Sequence, residues 1–222
     1  RGALSAYQAA LAIYQEPTSA APEKLQRQAG KADSLTLIGL VYARLGQYQK
    51  ALESLQLAQK IHEAVRDRAA KGKTDTELKL WFRSAGRIRS TLSFLSLVQY
   101  RLGNYDKALE LNQIALGMSG RSAADYGLDG ELFNTRGNIY LSLGQRQRAL
   151  EAYYRALVMV EQAGYPLGRD PRQSRLPSSI EANKLIYGWQ QPNRQELAAF
   201  FERSLQPMYH DPIRMQPWAR YL

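Results

Sequence analysis

Apolar and small residues recur along the chain at intervals of three and four, the spacing of one helical face. Ala51, Leu55, Ala58 and Ile61 make one such stripe; Ala108, Asn112, Ala115 and Met118 a second; Ala149, Tyr153, Ala156 and Met159 a third. Each stripe starts inside the same ungapped pattern, Leu-Gly-x-x-x-x-Ala-Leu, at 45–52, 102–109 and 143–150. Ahead of each glycine runs another helical pattern, with a small residue (Gly39, Ser96, Gly137) seven positions before Gly46, Gly103 and Gly144. The unit therefore reads as helix A, glycine turn, helix B, repeated three times.

Physical chemistry explains these residue types. Glycine directly after the last apolar residue of a helix adopts the left-handed backbone of a helix stop at little steric cost. Small residues at Gly39, Gly137, Ala51, Ala108 and Ala149 let the two antiparallel helices approach closely, and Leu55 or Tyr153 is expected to fill space against the next pair. One pair cannot bury its apolar face alone, so the pairs must stack. The repeats are spaced 57 and then 41 residues, from Ala51 to Ala108 to Ala149, which predicts lengthened helices or loops.

The ends fit the same template. Residues 3–13 parallel the helix B that opens at Ala149, so the chain is expected to begin within a repeat, with residues upstream missing, cleaved or disordered. Residues 180–189 and 194–205, joined by Gln190-Gln191-Pro192-Asn193, read as one further degenerate pair in which Asn193 and Glu196 form a capping box. Residues 164–179, rich in Pro, Gly and Arg, read as a connecting loop. The predicted organisation is a repeat array over 1–206, made of a half repeat at 1–16, repeats at about 32–65, 89–119 and 130–163, and a capping pair at 178–206; a Pro- and aromatic-containing tail follows at 207–222.

This arrangement resembles the tetratricopeptide repeat family, in which the eighth and twentieth positions are small, the eleventh is aromatic and the twenty-seventh is Ala. With unit one counted from Ala32, the matches are Gly39, Tyr42, Ala51 and Ala58; with unit three counted from Gly130, they are Gly137, Tyr140, Ala149 and Ala156. Unit two, counted from Arg89, has Ser96 and Gln99 at the eighth and eleventh places but keeps Ala108 and Ala115. The roughly 40-residue spacing resembles the longer repeats of kinesin light chains and of bacterial arrays. The resemblance implies an all-α fold, a right-handed α-α superhelix (solenoid) of stacked antiparallel pairs whose A helices line a concave groove. It also implies which side chains face that groove: Thr36, Leu40 and Arg44 from unit one; Ser93, Leu97, Tyr100 and Arg101 from unit two; Asn134 and Asn138 from unit three. The two asparagines would clamp a peptide backbone, offering both donors and acceptors, and the arginines would bind carboxylates. The Lys and Arg of the family's chaperone-binding clamp are missing from the matching places.

Charge adds a second candidate surface. Lys and Arg number 30 against 20 Asp and Glu, a net charge of +10, and an excess of this sign favours an acidic partner. Between Arg66 and Arg89 there are eight basic residues against three acidic. Within that stretch Lys79, Arg83 and Arg87 recur every fourth residue and form a basic stripe on a lengthened helix A, able to attract nucleic acid, an anionic membrane surface or an acidic protein. The absence of cysteine excludes disulfides, Fe–S clusters and Cys-type zinc sites, and the two histidines, His62 and His210, are far apart. With no phosphate loop, nucleophile motif or metal-ligand spacing, the expectation is no enzyme and no cofactor. The favoured reading is a scaffold that holds a peptide or partner helix in its groove; the alternatives are a nucleic-acid- or anionic-surface-binding protein using 66–89, or the regulatory array of a larger protein.

Overall fold

A computed structural model of the 222-residue chain describes residues 2–15, 21–120 and 123–162. The predicted capping pair at 178–206, the loop at 164–179 and the tail at 207–222 lie outside the described residues. The chain divides into two units at 163/164, and the account below concerns the first.

The described residues form seven helices and no strand: α1 (Gly2–Gln15), α2 (Ala21–Arg44), α3 (Tyr48–Ala69), α4 (Asp75–Arg101), α5 (Tyr105–Gly117), α6 (Ala123–Ser142) and α7 (Arg146–Gln162). Each packs on its neighbour in sequence, and α2, α4 and α6 also touch one another in turn. The architecture is a stack of antiparallel helix pairs, all-α as expected.

The three turns are built identically. Gly46, Gly103 and Gly144 have φ of 73°, 82° and 72°, a region open to glycine without the Cβ clash other residues meet. In the first turn the amide of Gly46 donates to the Ala43 carbonyl at 3.1 Å and that of Gln47 to Tyr42 at 2.9 Å. Gly103 to Tyr100 and Asn104 to Gln99 repeat the pair in the second turn, and Gly144 to Leu141 and Gln145 to Tyr140 in the third. This is the Schellman helix stop, which satisfies otherwise unpaired carbonyls.

Within each pair the eighth position meets the helix B backbone or its bulky side chain. A Cβ on Gly39 would lie 2.7 Å from Leu55 Cγ and 3.3 Å from the Ala51 carbonyl oxygen, and one on Gly137 would enter the Tyr153 ring. In the middle unit the Ser96 hydroxyl donates to the Ala108 carbonyl at 2.8 Å, so serine makes the contact by hydrogen bonding. Leu55 and Tyr153 thus pack first on their own pair; Leu55 in addition joins the buried cluster containing Ile88, Leu92 and Leu95 of the next.

Spacing between repeats is taken up by helices. α2 begins at Ala21 rather than near Ala32, α3 continues to Ala69, and α4 begins at Asp75, well ahead of Arg89. The start of α4 is a capping box: the Glu77 amide donates to the Thr74 hydroxyl at 3.3 Å, and the Thr74 amide to the Glu77 carboxylate at 3.1 Å. Those bonds hold the exposed Glu77 carboxyl below its ordinary range. The three extensions bury a second apolar cluster, Leu25, Ala29, Val65, Ala69 and Leu80.

Candidate functional site

α2 and α4 are the A helices of successive pairs, and their side chains meet. The Thr36 hydroxyl donates to its own helix at the Ala32 carbonyl, 3.0 Å away, and lies 3.5 Å from the Thr91 hydroxyl. Helical spacing of 3.6 residues per turn places Gln26, Gly30, Asp33, Leu37, Leu40 and Arg44 in one row on α2. On α4 it places Lys79, Arg83, Arg87, Phe94, Leu97 and Arg101 in one row. Leu40, Arg44, Leu97 and Arg101, four of the residues expected to line a groove, therefore share one face with the basic stripe.

Asp33 ties the two rows together. Its carboxylate accepts from Arg83 through Oδ2 and pairs with Arg87 Nε at 3.0 Å through Oδ1. Two of the three cations of the stripe are thus matched by a carboxylate fifty residues away. Lys79 and Arg83 go on to line an open cleft of about 680 Å³ where α1, α2 and α4 converge. Its apolar wall is Ile13, 59% exposed, with Tyr14 and Leu80. Arg27, held by Glu23 at 3.1 Å, adds a cation. The Tyr14 ring rests on Gly30, where a Cβ would lie 2.6 Å from it.

From Asp33 on this face a polar layer runs inward to His62 and Ser84, which are buried. Going along each helix, Asp33, His62 and Ser84 fall between the residues of the two apolar clusters. His62 is 1% exposed, its Nε2 lies 3.6 Å from Asp33 Oδ1, and neither ring nitrogen has a hydrogen-bond partner. The Ser84 hydroxyl is equally buried and unpartnered. Desolvation lowers the His62 pKa to about 4; Asp33 opposes this, and Arg87 and Arg83 add to it. Ser, His and Asp are the residue types of a nucleophilic triad, but the ion-pair contact here is between His62 and Asp33, and the Ser84 hydroxyl donates to neither. Among the described residues no cluster of His, Asp and Glu could hold a metal ion.

The remaining candidates divide by depth. Arg44 and Arg101 are exposed and Leu40, Leu97 and Tyr100 half-buried, so these present themselves at the turn end of the face. Arg101 stacks on Tyr100, 5.5 Å from the ring centre. Ser93, Asn134 and Asn138 are buried instead, at 6%, 3% and 7% exposure. The Tyr153 hydroxyl donates to Asn138 Oδ1 at 2.7 Å, so Asn138, expected in the peptide clamp, makes an interior contact between α6 and α7. The arginine counted at the end of the basic stretch is interior too: Arg89, 3% exposed, donates to the Ala115 carbonyl at 3.0 Å, to Asp125 at 2.9 Å and to Asp129. Burial pushes the Asp129 carboxyl above its ordinary range, against hydrogen bonding by Ser119 and the charge of Arg89. Arg27, Tyr14 and Ile13 were not read from the sequence as site residues. The sequence signal for them is the apolar spacing Leu25, Ala29, Ala32, which carries helix A back beyond the start of the repeat frame.

Residues 32–64 and 130–157 match the family model of the tetratricopeptide repeat. Repeats of this family are generally protein–protein interaction modules, and the family is typically a non-enzymatic scaffold. No curated protein matches the chain.

Proposed function

We propose that this protein is a non-enzymatic scaffold whose α2–α4 face holds an acidic, extended segment or helix of a partner protein, with an apolar side chain of that partner seated in the α1–α2–α4 cleft. The observation that carries the reading is the merging of the basic stripe with the groove residues into one continuous face, with a cleft at one end lined by Ile13, Tyr14, Arg27, Lys79 and Arg83. Such a cleft offers apolar contact for affinity and cations for orientation, the usual division of labour in binding sites. Stacked pairs of this kind make a right-handed superhelical turn, which would set the A helices on the concave side. An acidic protein segment is favoured over nucleic acid because Asp33 offsets one of the two charges of Arg83 and Arg87, leaving too sparse a cation row to track a phosphate backbone.

The test is selection of peptides from a phage-displayed random library on the whole protein, followed by affinity measurement of synthetic winners. Enriched peptides should carry Asp or Glu around an aromatic or aliphatic residue. Lys79→Glu and Arg101→Glu, at opposite ends of the face, should each weaken them about tenfold by charge reversal. Lys107→Glu on α5 should not. Winners indifferent to both face variants, or equally sensitive to the α5 control, would refute the assignment.

A further inference from the structure

A second polar depression lies at the seam of α6 and α7, away from the α2–α4 face. It has a volume of about 150 Å³ and is lined by Phe133, Arg136, Tyr140, Arg148, Glu151 and Arg155. On α6, Phe133, Arg136 and Tyr140 point to the side roughly opposite Asn134 and Asn138, since each residue advances about 100° around a helix.

The three guanidinium groups are held by aromatic rings. Arg136 and Arg155 stand over the Phe133 ring, 5.7 and 5.8 Å from its centre, and Arg148 stands 5.9 Å from the centre of Tyr140. Neutral amide oxygens complete the positioning: Arg136 donates to Asn112 Oδ1 at 2.9 Å and Gln113 Oε1 at 2.8 Å, and Arg148 to Gln145 Oε1 at 3.0 Å. These bonds occupy a minority of the five N–H donors each guanidinium carries. Burial and the like charge of Arg155 both work against the protonated form of Arg136, while Tyr140 supports it. Crowded cations of one sign, one of them partly desolvated, raise the free energy of the site, and a bound anion relieves it.

We infer that this depression is a binding site for a phosphate monoester dianion, gripped by Arg136, Arg148 and Arg155. Three positive charges against the single carboxylate of Glu151 leave an excess of two, the charge a phosphate monoester carries near neutral pH. Guanidinium forks match phosphoryl oxygens in geometry as well as charge. The volume, that of about five water molecules, leaves room for a phosphoryl group and its ester oxygen. A carboxylate would satisfy only half the excess.

The experiment is calorimetric titration of the full chain at constant ionic strength with inorganic phosphate, with a phosphoserine tripeptide and with its unphosphorylated counterpart. Saturable binding of phosphate or phosphoserine below about 10 mM, absent for the unphosphorylated peptide, supports the site. Binding of phosphate alone marks a free anion as the ligand, and tighter binding of the phosphopeptide marks a modified protein. Arg148→Gln with Arg155→Gln, both exposed positions, should weaken binding about tenfold or more, and Glu151→Gln should strengthen it severalfold, as expected when a like charge leaves the site. No saturable binding up to about 10 mM, or binding unaffected by these changes, overturns the inference. Lys79→Glu should leave phosphate binding unaltered, which keeps this test independent of the α2–α4 face.

Discussion

Acidification should weaken this fold through one side chain, His62. An unfolded chain protonates it near 6.5, whereas burial in the polar layer delays protonation to about 4. Between those values the unfolded state binds more protons than the folded one, so stability is complete above the upper value and falls as the pH drops. At about 1.4 kcal/mol per pH unit, the loss from pH 7.5 to pH 4.5 is about 2.5 kcal/mol. Asp33 on α2 faces the ring with a carboxylate that favours the cation, and Arg83 and Arg87 on α4 disfavour it. The perturbation is His62→Leu, which removes the titration along with two buried nitrogens lacking partners. Urea unfolding followed by far-UV circular dichroism at 25 °C, stepped through this pH range, gives both stability curves. Because other carboxylates titrate in both proteins, the difference between the curves isolates His62. The variant should match or exceed the parent at pH 7.5 and surpass it by about 2.5 kcal/mol more at pH 4.5. Curves that stay parallel would show that His62 titrates at its ordinary value, and the sealed polar layer would be refuted with it.

Three further outcomes follow from the packing. Ala108 has no exposed surface and its carbonyl accepts the Ser96 hydroxyl; Ala108→Trp should lower the melting temperature by several degrees, an overpacking cost of ~1–3 kcal/mol or more, while Lys107→Ala next to it changes little. Gly46→Ala, at φ 73°, should cost about 1–2 kcal/mol in chemical denaturation through left-handed strain, and Gly117→Ala, a helical position open to a Cβ, should cost nothing. Arg89→Ala would strand Asp129 in the interior and is expected to cost about 3–5 kcal/mol, whereas Asp67→Ala, which breaks the exposed pair with Arg66, should be hardly measurable by the same denaturation assay.

The helix pairs and their turns were legible because glycine at a left-handed stop and alanine at a helix crossing are local necessities, visible at fixed spacing. Lys79, Arg83 and Arg87 were legible as a row for the same reason. What faces them was not: Asp33 lies fifty residues earlier and meets them only once α2 and α4 stand side by side. Depth was equally hidden. A repeat frame states the direction in which Asn138 points, but its burial depends on Tyr153, which crosses Gly137 and brings its hydroxyl onto the amide. The lengthened helix A of unit two was expected from the repeat spacing, and its start could have been placed as well, since Thr74 and Glu77 spell a capping box three residues apart. Only the third dimension could show that they bury a separate apolar cluster, with a polar layer between.

The joints between units share one apolar cluster, in which Leu55, Leu111 and Leu132 all lie, and add polar fasteners to it. Inside a pair, glycine or serine brings two backbones together and a Schellman turn locks the angle. From unit two to unit three the fasteners are Arg89 on Asp125 and Asp129, Asn112 Nδ2 on the Leu132 carbonyl at 2.7 Å, and Arg136 on Asn112. Hydrogen bonds of this sort fix a definite direction, which apolar packing alone does not impose. Among the described helices each pair is therefore a stiff link, and the directed bonds at the joint of units two and three set the angle at which one link follows the next.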